Sequence, residues 1–155
     1  MRIAHVENDI VVNISLGESG IDGTHANIGD LYDGVTFSKP PRDLAKEKAD
    51  KIERLKQKRI AVAEGGMLFG GKLVPTDKEA ILLVESAIKY MDGKAGKKVK
   101  RAGLGEIDKQ TLDAYFEATG AKHEAAFARE SDLFDLVMAA TTVEELDAID
   151  IEAGW

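Results

Sequence analysis

The spacing of apolar residues changes once along the chain, and this change constrains the fold more than any other feature of the sequence. In the first forty residues, apolar positions alternate at the two-residue period of a β-strand, most clearly from Ile10 to Leu16. After Pro40 and Pro41, the longer apolar patterns recur every three to four residues, as in an amphipathic helix. The sequence therefore predicts an α+β protein, with a small N-terminal β-hairpin module, a connecting helix and a mainly helical domain that carries one β-hairpin.

The predicted β module covers residues 1–39. Residues 7–9 separate two β-prone segments, which indicates a hairpin, and Asp33 followed by Gly34 is typical of a type I′ turn. Strands this short bury little apolar surface, so we expect the module to dock on a neighbour. The predicted contact residues alternate along the second strand: Ile10, Val12 and Ile14.

Residues 40–64 form the predicted connecting helix, which begins near Pro41 and ends at Gly65. Its apolar residues make a thin stripe that approximates a heptad repeat over only about two and a half heptads. The favoured interpretation is a solvated helix that rests one side on its own domain. The alternative is a self-associating coiled coil, in which Ile52 and Leu55 are contact residues.

The third predicted segment, residues 65–155, is a hairpin that turns at Gly70 and Gly71, followed by helices. Three residues are predicted to cap helices: Thr76, Asp108 and Thr142. The Gly- and Lys-rich connection at residues 94–107 has room for a short strand.

The C-terminal tail is expected to complete a core. Thr142 and Glu145 form a capping box, in which the threonine oxygen accepts from the Glu145 N–H and the glutamate returns to the Thr142 N–H. The short helix that follows should fold back on the long helix. The residues of this predicted core are Phe127, Phe134, Leu146, Ile149, Ile151 and Trp155.

The formal net charge of −7 is unevenly distributed. Residues 103–155 hold 13 acidic and 3 basic side chains, whereas residues 1–102 are mildly basic. An acidic chain lacks the coherent basic surface that nucleic acids require, so we expect no nucleic-acid binding. The one dense basic run, from Lys94 to Arg101, is either a solvated loop or a contact for an acidic neighbour, including the C-terminal half of another copy.

Two groups of residues resemble known binding motifs but fit structural roles better. Gly66 to Lys72 has the spacing of a phosphate-binding loop, but the residue after the lysine is apolar and no helix follows directly. His5, His25 and His123 are far apart and lack partners at metal-ligand spacing. We therefore expect no metal and no cofactor.

The sequence also argues against cysteine-dependent bonds and against membrane-spanning segments. The chain has no cysteine, so it forms neither disulfides nor thiolate metal sites. No apolar run approaches the roughly 20 residues that span a bilayer, so we expect a soluble protein without membrane contacts.

Several short motifs recur in a moderately specific order along residues 42–155. They are Arg59, Glu64-Gly65-Gly66, Phe69-Gly70-Gly71, Thr76-Asp77, Ala126-Phe127-Ala128-Arg129, and the stretch from Leu133 to the terminal Gly154-Trp155. In this order they resemble an uncharacterised C-terminal domain of phage and prophage tail-fibre-associated proteins. Residues 6–14 and 32–37 are similar to the small β leader of phage tail and fibre-accessory proteins. The connection from Val99 to Ile107 departs from the pattern, because it has no aromatic residue where a tryptophan-bearing strand is expected.

The resemblance implies a place of action rather than a reaction, because the family has no established activity and supplies no catalytic residue. It implies a non-enzymatic structural protein of the virion, in the tail, the fibre-attachment region or the neck, assembled in the host cytoplasm. Its partners would be other phage tail or fibre proteins and further copies of itself. The alternative is a tail-fibre assembly chaperone that is absent from the mature particle. An enzyme that acts on host glycans is a distant third hypothesis.

Overall fold

A computed structural model describes residues 1–101 and 103–155. It contains both helices and strands, which confirms the α+β class. The chain separates into two compact units, Met1–Asp43 and Leu44–Trp155. The predicted division into residues 1–39, 40–64 and 65–155 differs from this one, because the helix expected to connect two domains packs within the second unit.

The first unit is a five-stranded antiparallel sheet. Its strands are β1 (Arg2–Glu7), β2 (Ile10–Leu16), β3 (Ile21–Asp22), β4 (Leu31–Tyr32) and β5 (Phe37–Ser38). Their order across the sheet is β3-β1-β2-β4-β5. The predicted β1–β2 hairpin is present, and its turn residues Asn8 and Asp9 have φ of 50° and 64°, as a two-residue type I′ turn requires.

A β-bulge decides which side chains of β2 face the core of the first unit. The pairing of β1 with β2 shifts register after His5, which leaves Val12 as the extra residue. Before the bulge, the side chain that faces the core is therefore Val11 and not Val12. Val11 is fully buried, and Ile14 packs against the same cluster. The expected single face of Ile10, Val12 and Ile14 does not form, because the bulge separates Ile14 from the other two.

The turn between β4 and β5 also differs from the prediction. Tyr32 pairs with Phe37, so four residues form the loop instead of a two-residue type I′ turn. Asp33 Oδ1 accepts hydrogen bonds from the backbone N–H groups of Thr36 and Val35, at 2.7 and 2.9 Å. These bonds organise the loop and hold the pKa of Asp33 below its ordinary value.

The second unit is mainly helical and contains two hairpins where the sequence predicted one. Its elements are α1 (Leu44–Glu64), β6 (Met67–Phe69), β7 (Lys72–Val74), α2 (Lys78–Met91), β8 (Val99–Arg101), β9 (Gly105–Ile107), α3 (Lys109–Ala139) and α4 (Val143–Asp147). β6 pairs with β7, and β8 pairs with β9, in both cases antiparallel. The connection before α3 therefore supplies a complete hairpin rather than a single strand.

Helix α3 organises the packing of the second unit. Its first half contributes Leu112 and Tyr115 to a core shared with α2 and the hairpins. Its second half contributes Leu133 and Val137 to two clusters shared with α1 and the C-terminal tail. At 1.5 Å per residue, the 31 residues of α3 extend over about 46 Å. The two ends of the helix therefore lie in different surroundings.

The caps predicted at Asp108 and Thr142 are confirmed, and the one predicted at Thr76 is wrong. The side chains of Asp108 and Thr142 each accept a hydrogen bond from the backbone N–H three residues later. Helix α2 is capped by Asp77, whose side chain accepts from the Ala80 N–H. Thr76 is fully buried, and its hydroxyl donates to the carbonyl oxygen of Ala63 in α1.

Candidate interaction surfaces

Two of the three histidines make hydrogen-bond contacts that support the fold. His123 Nε2 lies 2.8 Å from the carbonyl oxygen of Thr76, and His5 Nε2 lies 2.7 Å from Ser15 Oγ across the first sheet. Within residues 1–101 and 103–155, no group of three or more His, Asp or Glu side chains is placed to hold a metal ion. None of the helices in this part of the chain has the length and apolar character needed to span a bilayer.

The glycine-rich segment that resembles a phosphate-binding loop is the β6–β7 hairpin, with Gly70 and Gly71 at its turn. Its base is fixed by Thr76, whose hydroxyl donates to the Ala63 carbonyl at 2.6 Å and accepts from the Gly66 N–H at 3.0 Å. These bonds join the end of α1 to the start of α2. The segment therefore has a structural role.

Lys122 of α3 joins the same network by donating to the carbonyl oxygen of Gly66. Burial lowers the pKa of Lys122. Its ammonium group thus ties α3 to the hairpin, and the network connects four elements of the second unit.

A cleft of about 270 Å³ lies beside α2, and most of its polar groups hold its walls together. The Tyr115 hydroxyl donates to the carbonyl oxygen of Pro75, and burial raises the pKa of this tyrosine. Arg101 Nη2 donates to the Leu83 carbonyl at 2.9 Å, while its buried Nε has no partner among the described residues. We interpret this cleft as a packing feature.

The C-terminal tail does close a core. Four of its residues are buried or packed against buried neighbours: Leu146, Ile149, Ile151 and Trp155. Leu133 of α3 and Leu55 of α1 complete the cluster around Ile151. The Trp155 indole N–H donates to the Ile151 carbonyl at 2.9 Å, so the terminal residue is bonded to the tail itself.

The capping box that starts this tail differs in one bond from the predicted form. Thr142 accepts from the Glu145 N–H at 3.1 Å, as expected. The Glu145 carboxylate, however, accepts from the backbone N–H of Thr141 at 2.6 Å and from its hydroxyl at 2.9 Å. These bonds hold the pKa of Glu145 below its ordinary value.

Phe127 and Phe134 do not belong to the core that the tail completes, which corrects the prediction. They are 51% and 40% exposed. Each residue of an α-helix turns by about 100°, so Phe134 points well away from its buried neighbour Leu133. Arg59 of α1 lies over the Phe127 ring, 4.4 Å from its centroid, and pairs with Glu130 at 3.0 Å.

The predicted contact residues of α1 also face the interior of the second unit. Leu55 is fully buried with Leu133 and Ile151, and Ile52 packs against the cluster around Val137. The apolar stripe of α1 is thus covered by α3 and the tail. A coiled-coil contact through Ile52 and Leu55 is inconsistent with this packing.

The first unit exposes several large apolar side chains. They are Ile10, Val12, Leu16, Ile28 and Val35, which we call the exposed apolar set. The cluster of buried residues in this unit is Ala4, Val11 and Ala26, with Val6, Ile14 and Phe37 packed against it, and Ile3 is buried as well. This core is small, so burial of the exposed apolar set against a partner would add substantially to the stability of the unit.

One exposed side of α3 combines apolar and acidic side chains. Phe127, Phe134 and Met138 follow each other at intervals of seven and four residues, which places them on one side of the helix. The exposed carboxylates on the same half of the helix belong to Glu124 and Asp135. We call these five residues the α3 face.

An exposed basic cluster lies between α2 and β8. Lys94 Nζ is 3.7 Å from the centroid of the Tyr90 ring and Lys97 Nζ is 5.6 Å from it. Lys98 follows and is also exposed. We call Tyr90, Lys94, Lys97 and Lys98 the basic loop. Cations held over an aromatic ring form a compact positive surface.

Comparison of the chain with protein-family models, with curated proteins and with solved structures gave no match. The resemblance to a tail-fibre-associated domain therefore stays a prediction. Two of the segments that carry it, Arg59 and residues 126–129, meet in the structure where the Arg59 guanidinium covers Phe127.

Proposed function

We propose that this chain is a non-enzymatic structural protein of a bacteriophage virion, in the tail, the fibre-attachment region or the neck, and that it works through protein–protein contacts. The observation that carries the proposal is the exposed apolar set of the first unit. Thr76, Lys122 and His123, by contrast, are engaged in hydrogen bonds within the fold.

The size of the first unit supports a docking role. It contains 43 residues and no cysteine. Domains near or below about 40 residues usually need disulfides, metals or partner chains for stability. Covering one exposed Val, Leu or Ile is worth at most about 1.5–3 kcal/mol, so a partner that buries several of them stabilises the unit strongly.

The assignment to a phage particle is supported by the resemblance described above, and the structure supports the contact function on separate grounds. The second unit is a helical body with its own cores. In this proposal the first unit docks on a neighbouring tail or fibre protein, and the second unit contacts further copies.

Mass spectrometry of purified particles tests the proposal, using a phage or prophage that encodes this chain. Stoichiometric presence beside the tail proteins supports a virion component. Expression during infection combined with absence from particles contradicts it and favours the tail-fibre assembly chaperone.

A variant tests whether the first unit is the docking module. We expect Val12→Glu to reduce incorporation into particles, because it places a charge in the exposed apolar set. Leu136→Glu is the matched control, since Leu136 is an exposed apolar residue of α3 outside the α3 face. Equal incorporation of Val12→Glu and the control would contradict a docking role for the first unit.

A further inference from the structure

Two exposed surfaces of the second unit have opposite charge and compatible apolar content. The basic loop presents three lysines around an exposed tyrosine. The α3 face presents two phenylalanines and a methionine beside two carboxylates. Aromatic and methionine side chains with complementary charges around them are typical of specific protein contacts.

Most charges of the two surfaces are available for a partner. Hydrogen bonds from Thr111 lower the pKa of Asp108, and Lys98 lies close enough to that carboxyl to help lower it. Glu124 and Asp135 form no ion pair within the part of the chain that the structure describes. Lys94 and Lys97 are held over the Tyr90 ring and have no carboxylate partner there. Complementary unpaired charges guide docking and fix its register.

The two surfaces cannot meet within one chain. The basic loop adjoins the start of α3, because Lys94, Lys98 and Lys109 line one cleft. The apolar residues of the α3 face begin at Phe127, about 28 Å further along the same continuous helix, and end at Met138, about 45 Å along it. A rigid helix holds this separation, so only two copies can bring the surfaces together.

We propose that the basic loop of one copy binds the α3 face of a second copy. In this contact the lysines pair with the carboxylates of the α3 face, and the Tyr90 cluster covers Phe134 and Met138, because Arg59 already covers one face of the Phe127 ring. The contact joins two different surfaces, so each pair retains one unoccupied basic loop and one unoccupied α3 face. Further copies add head to tail, which gives a ring if the rotation closes and a filament if it does not.

A nucleic acid is the other class of partner that lysines attract, and it fits less well. The Tyr90 ring carries Lys94 at 3.7 Å, so that ring face is not open for a base to stack on it. The chain also has a formal net charge of −7, which repels a polyanion.

Two charge-reversal variants of the full chain test the contact. The first reverses the basic loop, with Lys94→Glu, Lys97→Glu and Lys98→Glu. The second reverses the α3 face, with Glu124→Lys and Asp135→Lys. The matched control for the first carries Lys56→Glu, Lys72→Glu and Lys78→Glu, three exposed lysines outside both surfaces. Circular dichroism checks that every variant is folded.

Sedimentation at about 50 mM and about 500 mM salt provides the readout. We expect the native chain and the control to self-associate at low salt and to dissociate at high salt. Each reversed variant alone should associate at least about ten-fold more weakly. An equal mixture of the two reversed variants should restore a complex, because the reversed loop is then acidic and the reversed α3 face basic.

Several results would overturn the contact. They are a native chain that stays monomeric at low salt, a reversed variant that associates like the native chain, and a mixture of folded variants that forms no complex. A monomeric native chain that binds a single-stranded oligonucleotide through the three lysines would show a nucleic-acid surface instead. Particle incorporation is measured separately, so this contact and the virion role can fail independently.

Discussion

The two units of the chain differ in how much stability their own packing can supply. The second unit has a cluster of seven buried residues around Leu112 and Tyr115, and two further clusters around Leu133 and Val137. The first unit has one cluster of three buried residues, with Val6, Ile14 and Phe37 partly buried against it, and one further buried residue, Ile3. We therefore expect the second unit to be stable by itself and the first unit to gain stability from a neighbour.

The largest expected effect comes from removing a central side chain of the second unit. Leu55→Ala should lower its free energy of unfolding by about 2–5 kcal/mol, because a fully buried leucine leaves a cavity between α1, α3 and the tail. Urea unfolding followed by fluorescence measures this, since Trp155 is the one tryptophan and packs against the same cluster.

The control for this prediction is Leu136→Ala on the exposed side of α3, which should change the free energy by less than about 0.5 kcal/mol. An equal loss in the two variants would mean that α3 and the tail do not cover Leu55.

A smaller truncation should unfold the first unit selectively. Val11→Ala removes two methyl groups from its core, which costs about 2 kcal/mol. In the free chain we expect NMR signals of β1 and β2 to collapse toward unfolded positions, while the fluorescence transition of Trp155 stays where it was. Val12→Ala, at a half-exposed position of the same strand, should leave the first unit folded. Loss of the Trp155 transition in Val11→Ala would contradict the separation of the two units.

The buried threonine network gives the next expected effect. Thr76→Val keeps the shape of the side chain but leaves the Ala63 carbonyl and the Gly66 N–H without their bond, at a cost of about 1–3 kcal/mol. Thr76→Ser keeps the hydroxyl and should lose less of the free energy of unfolding, as measured by urea unfolding. If serine were the more damaging replacement, the methyl group rather than the hydroxyl would be the important part of Thr76.

The smallest expected effect is a response to acid. In the first unit, hydrogen bonds from Thr24 lower the pKa of Asp22, and bonds from Thr36 and Val35 lower that of Asp33. A lowered folded-state pKa means that these carboxylates stabilise the fold above the ordinary value of 3.8 and lose that contribution as pH falls below it.

Acid also removes the contributions of Asp108 and Glu145 in the second unit, but its larger cores should preserve it. A titration by NMR from about pH 6 to about pH 2 should therefore show the first unit unfolding first. Asp33→Asn should reduce this pH dependence. If Trp155 fluorescence showed the second unit unfolding at a higher pH than the first, the expectation that the first unit is the less stable one would be wrong.

Local patterns predicted much of the fold. The helix caps at Asp108 and Thr142, the β1–β2 turn and the buried tail residues follow from short-range hydrogen bonding and apolar spacing. The bulge at Val12 could not be predicted in this way, because it depends on the register with another strand. One extra residue was enough to change which side chains the first unit exposes.

The sequence predicted only one of the two candidate surfaces of the second unit. The basic loop was evident as a charge run, but the α3 face was mistaken for core because its phenylalanines are the most apolar residues nearby. A row of buried positions at intervals of seven was the better signal: Leu112, Thr119, Ala126 and Leu133. Threonine and alanine made that row inconspicuous, and the position of α1 decides which side of α3 is covered.

Hydrogen exchange of the full chain, free and within purified particles, tests most directly whether the first unit is a docking module stabilised by its partner. In the free chain, amides of β1 and β2 should exchange at least about ten-fold faster than those in the middle of α1 and α3. In particles, the β1 and β2 amides should become protected. Protection in the free chain equal to that of α3, or no gain of protection in particles, would contradict this account.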